Sequence, residues 1–405
     1  MKQGWEYKKL GEVASFFRGL TYSGKDEVSF SNNIVLRSNN IDLNTNTINF
    51  DELKFISDSI IIPKDKKLKK NSIFMCMSNG SKLHLGKVAF IDKEYPYAFG
   101  GFMGLIVPKE DELMPKMAYY YFCSQKFKTY LSSIGNGANI NNIKFVDIAK
   151  DTIPIPPKST QLSIVSELDK INELIRLKKG QLKDYDNLAQ SIFYEMFGDP
   201  VENEKRWEVK KLGEISSLIC NGNTPKGGSE VYVKEGFLFL RSQNVWKNRI
   251  DLEDVAYIDE STHLSLKKSI LKHNDLLITK TGRINTENSS LGRTALFEGG
   301  DGSANINGHV YLVRLKENMV HKYILYILIS NSYRELIRKT CVGGIDKRQL
   351  NKDHIEDFPI IFPPIELQKI YSNRVSIIER QKSSVQKSIT DLETLLASRM
   401  QYWFE

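Results

Sequence analysis

The 405-residue sequence predicts an α/β (α+β) protein: two similar globular α/β domains joined by two long antiparallel coiled-coil helices, pseudo-two-fold symmetric. Three observations carry this expectation. The chain repeats itself in order along its length, each repeat opens with short apolar runs broken by Asn, Ser and Gly clusters, and each closes with a heptad seam.

The repeat is clearest at its start. Trp5-Glu6-Tyr7-Lys8-Lys9-Leu10-Gly11-Glu12-Val13 returns as Trp207-Glu208-Val209-Lys210-Lys211-Leu212-Gly213-Glu214-Ile215, with seven of nine positions identical. Leu36-Arg37-Ser38-Asn39-Asn40-Ile41 returns as Leu240-Arg241-Ser242-Gln243-Asn244-Val245, and Leu85-Gly86-Lys87 as Leu291-Gly292-Arg293. Pro156-Pro157 with Gln161 matches Pro363-Pro364 with Gln368. The order is preserved while the offset grows from 202 to 207, as small loop insertions would produce. Short words matching by chance would not be collinear.

Residues 1–157 and 199–364 are the two globular parts, with apolar runs such as Ile34-Val35-Leu36, Ile73-Phe74-Met75 and Phe237-Leu238-Phe239-Leu240 read as short strands. Helical stretches are expected at 117–131 and 320–338. The proline pairs cannot sit in a helix interior, so they mark the entry to two spacer helices, 158–198 and 365–405. In the first, Ile164, Leu168, Ile171, Ile175, Leu182 and Ile192 fall on alternating steps of four and three. Val375, Ile378, Val385, Ile389, Leu392 and Leu396 carry the second seam in the same register. At about 1.5 Å per residue such helices span roughly 60 Å, too long for a globule of about 150 residues to cover, so pairing with each other is expected.

Composition narrows the class further. With 41% hydrophobic and 26% charged residues the chain is of ordinary globular type, and no stretch approaches the roughly 18 apolar residues of a membrane span. The first ten residues lack a signal-peptide core, so a cytoplasmic protein is expected. The four cysteines are far apart without a CxxC, and the six histidines show no metal-ligand spacing. The net charge is +8, of which +7 falls on the globular parts. That permits nucleic-acid binding without proving it, and the helices carry no basic stripe.

No catalytic constellation stands out. The proline pairs lack the Asn/Asp-Pro-Pro-Tyr/Phe context of an amino-methyltransferase, there is no GxxxxGK[ST] loop, and nothing catalytic occurs at matching places in both repeats. What does match is a set of polar segments. Arg37, Asn39 and Asn40 pair with Arg241, Gln243 and Asn244; Asn79, Ser81 and Lys82 with Lys280, Thr281 and Arg283; and Asn139, Asn141 and Lys144 with Lys347 and Arg348. Arg forks onto guanine edges and Asn or Gln onto adenine edges, while Lys, Ser and amides hold phosphates. These residues are therefore the candidate DNA contacts. Where the repeats agree, scaffold or phosphate roles are expected; where they differ, base reading.

The Trp-Glu-x-Lys-Lys-Leu-Gly-Glu opening, the polar globule, the Pro-Pro-x3-Gln helix entry and the repetition of all three resemble the specificity subunit of type I restriction-modification systems. Asn221-Gly222-Asn223-Thr224-Pro225-Lys226 is similar to that family's Gly-x-Thr-Pro segment, whereas the first repeat has Arg18-Gly19-Leu20-Thr21-Tyr22 without proline. The resemblance implies a non-catalytic chain with two target-recognition domains reading a bipartite double-stranded DNA target. It implies as partners two methyltransferase subunits bringing S-adenosylmethionine and, where present, two nuclease-translocase subunits using ATP and Mg. No cofactor or metal is then expected on this chain. The alternative is a free-standing DNA restriction or modification enzyme whose catalytic motif is not recognisable.

Overall fold

The computed structural model describes residues 4–81, 84–134, 142–284, 286, 288–344 and 347–405. It divides into two compact units, one of residues 1–179 with 386–405 and one of residues 180–385. The division falls inside the two long helices, Lys158–Phe197 and Ile365–Phe404, so each unit holds one half of each.

In the first unit a four-stranded antiparallel sheet runs in the order Ala14–Arg18, Met103–Pro108, Ser72–Cys76, Val88–Ile91. A second sheet runs Glu27–Val28, Lys54–Ile56, Asn33–Leu36, Ala98–Phe99, and only its last pairing is parallel. The strand Glu6–Lys9 pairs antiparallel with Thr152–Ile155, which ties the opening motif to the strand leading into the first long helix. Buried Ile73, Phe74, Met75, Leu105 and Ile106 fill the space around the first sheet.

The second unit repeats these sheets strand for strand and, among the described residues, adds two small ones, Val245–Trp246 with Arg249–Ile250 and Thr281–Gly282 with Lys347–Gln349 and Val342–Gly344. Its sheets run Ser216–Asn221, Val310–Leu315, Leu276–Thr279, Thr294–Leu296 and Tyr232–Val233, Ala256–Ile258, Phe237–Leu240, Ala304–Ile306, again with one parallel pairing at the end of the second. Val209–Lys211 pairs with Pro359–Ile361 as its counterpart does. The mostly antiparallel pairing makes both units α+β. The duplication seen in the sequence is thus a duplication of fold.

The expected helical stretches each divide in two: Pro115–Cys123 with Gln125–Ile134, and His321–Leu328 with Asn331–Thr340. A serine makes each break. Ser124 Oγ accepts from Phe127 N, and Ser330 Oγ accepts from Tyr333 N, so each caps the following helix and ends the continuity of the preceding one.

The repeated words now acquire physical roles. Gln161 and Gln368 are buried, and each Nε2 donates to the carbonyl of the first proline of its pair, Pro156 at 3.0 Å and Pro363 at 2.8 Å, locking the helix entry. Glu12 and Glu214 accept from the backbone N of Lys9 and Lys211, fixing the turn after the opening strand. Gly19 and Gly222 are places of close approach: a Cβ would lie 2.0 Å from Gly100 O and 1.9 Å from Ile306 O, respectively. The first repeat therefore keeps the glycine contact although it lacks the proline.

Within each unit the helix halves pair antiparallel. In the first, Glu167 accepts from Arg399 Nη2 and Trp403 Nε1, both at 3.0 Å, and Lys179 meets Glu393 at 2.8 Å. In the second, Asp186 pairs with Lys382, and Tyr371 packs its ring against Phe193 and Phe197. Seam residues Ile164, Leu168, Ile171, Ile175, Val375, Ile378, Val385 and Ile389 are buried. Leu182, Ile192, Leu392 and Leu396 are half-buried. Beside Ile192 it is Phe193 that is fully buried, because the aromatic cluster of the second unit turns the seam toward Tyr323 and Tyr371. Lys382 and Arg399, which fall on the same steps of four and three as the second seam, each face a carboxylate of the other helix.

Candidate nucleic-acid interface

Each unit brings its three polar segments together. In the second, Thr281–Gly282 pairs antiparallel with Lys347–Gln349, which also pairs with Val342–Gly344. Ser242 and Gln243 line the same cavity as Thr281, Arg283 and Lys347, an open hollow of about 560 Å³. In the first, Asn79 Nδ2 donates to Ser38 Oγ at 3.1 Å, and Ser78 bridges Asn142. Lys82, Asn139 and Asn141 lie outside the described residues.

The segments do not all face outward. Asn40 and Asn244 are 0% and 1% exposed, and the expectation that they contact DNA is corrected. Asn244 Oδ1 accepts from Arg241 N at 2.9 Å while Nδ2 donates to Asp251 O and Asp254 O. Asn40 repeats the pattern with Arg37 N, Asn49 O and Glu52 O. Every polar atom of these amides is spent on holding the loop, so none can be presented to a base. Their identity in the two repeats reflects that shared work.

Arg37 and Arg241 are half-buried, and in each the Nε is buried with no partner among the described residues. Arg241 Nη2 meets the Asp254 carboxylate at 3.2 Å, which ties it to the fold. Asn39 is exposed but donates to Glu52, and Gln243 is exposed and donates to Asp254 at 3.0 Å. Lys280 Nζ sits 5.8 Å from the centre of the Tyr311 ring, and Arg348 Nη1 donates to Cys341 O. Ser81, Lys144, Arg283 and Lys347 are exposed. Lys144 joins Arg18, Asn142 and Phe145 around a smaller cavity of about 290 Å³.

Among the cavity residues of the second unit not anticipated as contacts, Trp246 and Arg293 stand out. Trp246 forms part of the cavity wall, with its Nε1 donating to Gln243 O at 2.9 Å. Arg293 lies over the Trp246 ring at 3.8 Å and donates to the carbonyls of Ser289 and Asn288. Burial, with the neighbouring guanidinium groups of Arg334 and Arg249, pulls Arg293 below the ordinary arginine range. A guanidinium remains charged even so. The signal was present in the repeat itself: Trp246 replaces Asp42 one residue past a matched word, and Arg293 replaces Lys87 inside one. Lys87 is 9% exposed, its Nζ donates to Ile41 O at 3.0 Å, and burial lowers its pKa. The same repeat position thus serves the interior of one unit and the cavity of the other.

Gly86 and Gly292 precede that position, at φ +77° and +69°. A Cβ there would strike Leu131 or Ile337 at 2.4 or 2.7 Å, respectively. Glycine relieves the left-handed backbone there, and any side chain would also have to displace the terminal methyl of Leu131 or Ile337.

Among the described residues no group of His, Cys, Asp and Glu could hold a metal ion, and no helix is long and apolar enough to cross a membrane.

Two repeated lobes, each gathering three polar loops beside a paired-helix frame, define a two-site recognition protein. The chain belongs to the specificity-subunit family of type I restriction-modification systems: the model for the type I restriction modification DNA specificity domain matches residues 2–184 and again 204–394. It is similar to the StySPI specificity subunit of Salmonella potsdam, 22% identical over 422 residues, covering 99% of this chain and 88% of that one. Similarity to the EcoKI specificity subunit of Escherichia coli K12 is 23% over 417 residues, covering 96% and 85%. Among solved structures, a chain from a study of assembly and conformational transition in a type I system aligns at TM-score 0.56 with 17% identity, covering 99% of this chain and 97% of that one. The S subunit from M. genitalium aligns at 0.55 with 15% identity, covering 99% and 96%. These two likenesses concern the fold.

Proposed function

We propose that the chain reads a bipartite target in double-stranded DNA and carries the subunits that act on it, itself contributing recognition and no chemistry. The observation that carries this reading is the convergence of the same three polar segments in both units, on matching scaffolds with different residues at the exposed positions. Identical frames with unlike contact surfaces suit two unlike half-sites. Two methyltransferase subunits bearing S-adenosylmethionine, with adenine N6 as the acceptor, are the partners this reading requires. Nuclease-translocase subunits using ATP and Mg are compatible with it. The paired helices would serve as both docking frame and ruler between the half-sites.

The test is to sequence methylated adenines genome-wide in cells with and without the chain, alongside its methyltransferase partner. A bipartite motif that appears only with the chain supports the reading. Methylation that is unchanged, or has no gapped motif, refutes it. Binding by the complex should also fall steeply with salt, since phosphate contacts release counterions.

A further inference from the structure

We infer that Arg283 reads the major-groove edge of a guanine in the half-site of the second unit. The inference rests on the proposed DNA-recognition role and names one base contact within it.

The argument begins with the charge of the cavity. Its described lining includes Arg283, Arg293 and Lys347 and no carboxylate, so it favours a ligand rich in acceptors. The three cations are not equally available. Arg293 is consumed by the Ser289 and Asn288 carbonyls and by the Trp246 ring. Lys347 is an exposed point charge without directional preference. Arg283 is exposed on the strand-edge turn next to Gly282 and makes no ion pair with any described residue, leaving its planar fork presented to the cavity.

The turn holding Arg283 is constrained. A Cβ on Gly282 would lie 2.4 Å from Leu291 N, so the backbone is pressed against the loop that leads to Arg293. Ser290 Oγ donates to Thr281 O at 2.7 Å, and Gly282 is paired with Arg348. The Arg283 backbone therefore leaves a braced strand end while its guanidinium stays unengaged by the described residues, which leaves the planar fork available for bidentate contact to guanine O6 and N7.

Comparison of the units favours a base over a phosphate. A phosphate clamp common to both half-sites would keep the same wall around it in both repeats. The described walls differ: Asp42 stands where the second unit has Trp246, and Ser81, its backbone N turned onto Asn79 Oδ1, follows Gly80 where Arg283 follows Gly282, while Lys82 lies outside the described residues. The aromatic and cationic wall and the free fork occur together in the second unit.

The experiment uses the full chain in complex with its methyltransferase subunits. Wild type, Arg283→Ala, Arg283→Lys and, as a control in the other unit, Asn39→Ala are compared by adenine methylation mapping and by binding to duplexes with each base substituted. Arg283→Ala should lower discrimination for guanine at one position of one half-site by roughly 10- to 100-fold. Arg283→Lys should not restore it, and Asn39→Ala should leave that position unchanged. Replacing the guanine by 7-deazaguanine should weaken wild type and leave Arg283→Ala unaffected. A uniform loss over all sequences with a shallower salt dependence would assign Arg283 to a phosphate and overturn the inference. Unchanged specificity, or a half-site without guanine, would also overturn it. If wild type shows no sequence preference, it is the recognition role itself that fails. Thermal unfolding of each variant separates lost contacts from lost folding.

Discussion

Replacing Asn244 with alanine is expected to unfold the second unit's reading loop while leaving the first unit intact. The amide is 1% exposed and makes three bonds, accepting from Arg241 N and donating to Asp251 O and Asp254 O. Truncation removes all three and leaves the Arg241 N–H and the Asp251 carbonyl without this partner, while Asp254 O keeps its bond from Arg241 Nη2. At about 1 kcal/mol net for each bond the loss is about 3 kcal/mol. For a unit of this size that lowers the unfolding midpoint by roughly 6 to 12 °C. Asn244→Asp should not rescue it, because a carboxylate keeps the acceptor but loses both donors and buries a charge. Calorimetry of the full chain measures the midpoint, and amide exchange across 241–254 measures local opening. A midpoint shifted by less than about 1 °C together with loss of sequence-specific binding would refute the reasoning, since it would mean that Asn244 faces the DNA.

Four further outcomes are expected. Arg399→Ala and Glu167→Gln in a double-mutant cycle should give a small favourable coupling that weakens with added salt, because the pair is open to water. The Arg399 guanidinium, with help from the Trp403 indole N–H, holds the Glu167 carboxyl below its usual 4.5. Its stabilisation is therefore present at neutral pH and lost as pH falls below that value, and urea titrations should show Glu167→Gln flattening this acid limb. Tyr371→Ala should cost about 3–5 kcal/mol from the buried aromatic cluster, and Tyr371→Phe about 1 kcal/mol for the bond to Ala189 O, both read by denaturant midpoint. Gly222→Ala should destabilise the second unit, while Gly300→Ala, with open space around it, should be neutral by the same measurement. Removing one heptad from both long helices shortens each by about 10 Å. The gap between methylated half-sites should contract while their sequences stay the same, and an unchanged gap in the methylation map would refute a ruler role.

Much of the frame was legible because it is written in local chemistry. The helix entries follow from proline pairs that cannot continue a helix backwards, and the seams from apolar residues at steps of four and three. The tandem words Trp-Glu-x-Lys-Lys-Leu-Gly-Glu and Pro-Pro-x3-Gln mark capping and locking contacts between residues three to five apart. The divided helices at 115–134 and 321–340 were not legible as such. Whether a serine caps a new helix or rides inside one depends on the packing around it, and both stretches keep an apolar face across the break.

The site was legible in outline only. Pattern within one chain located the three segments but could not tell Asn244, turned inward, from Gln243, turned outward, because both are polar residues in one short turn. Nor could it assign Arg293 to a cavity and Lys87 to an interior, since the two occupy the same word of the repeat.

The chain's order of residues by itself determined the duplication, the two long helices and the family, since each rests on spacing that survives without coordinates. Tertiary structure alone decided which members of each polar segment are exposed and which brace the loop. That choice is set by hydrogen-bond partners such as Asp251, Asp254 and Ser289, four to ten residues along the chain, which come into reach only once the intervening loop has closed on itself.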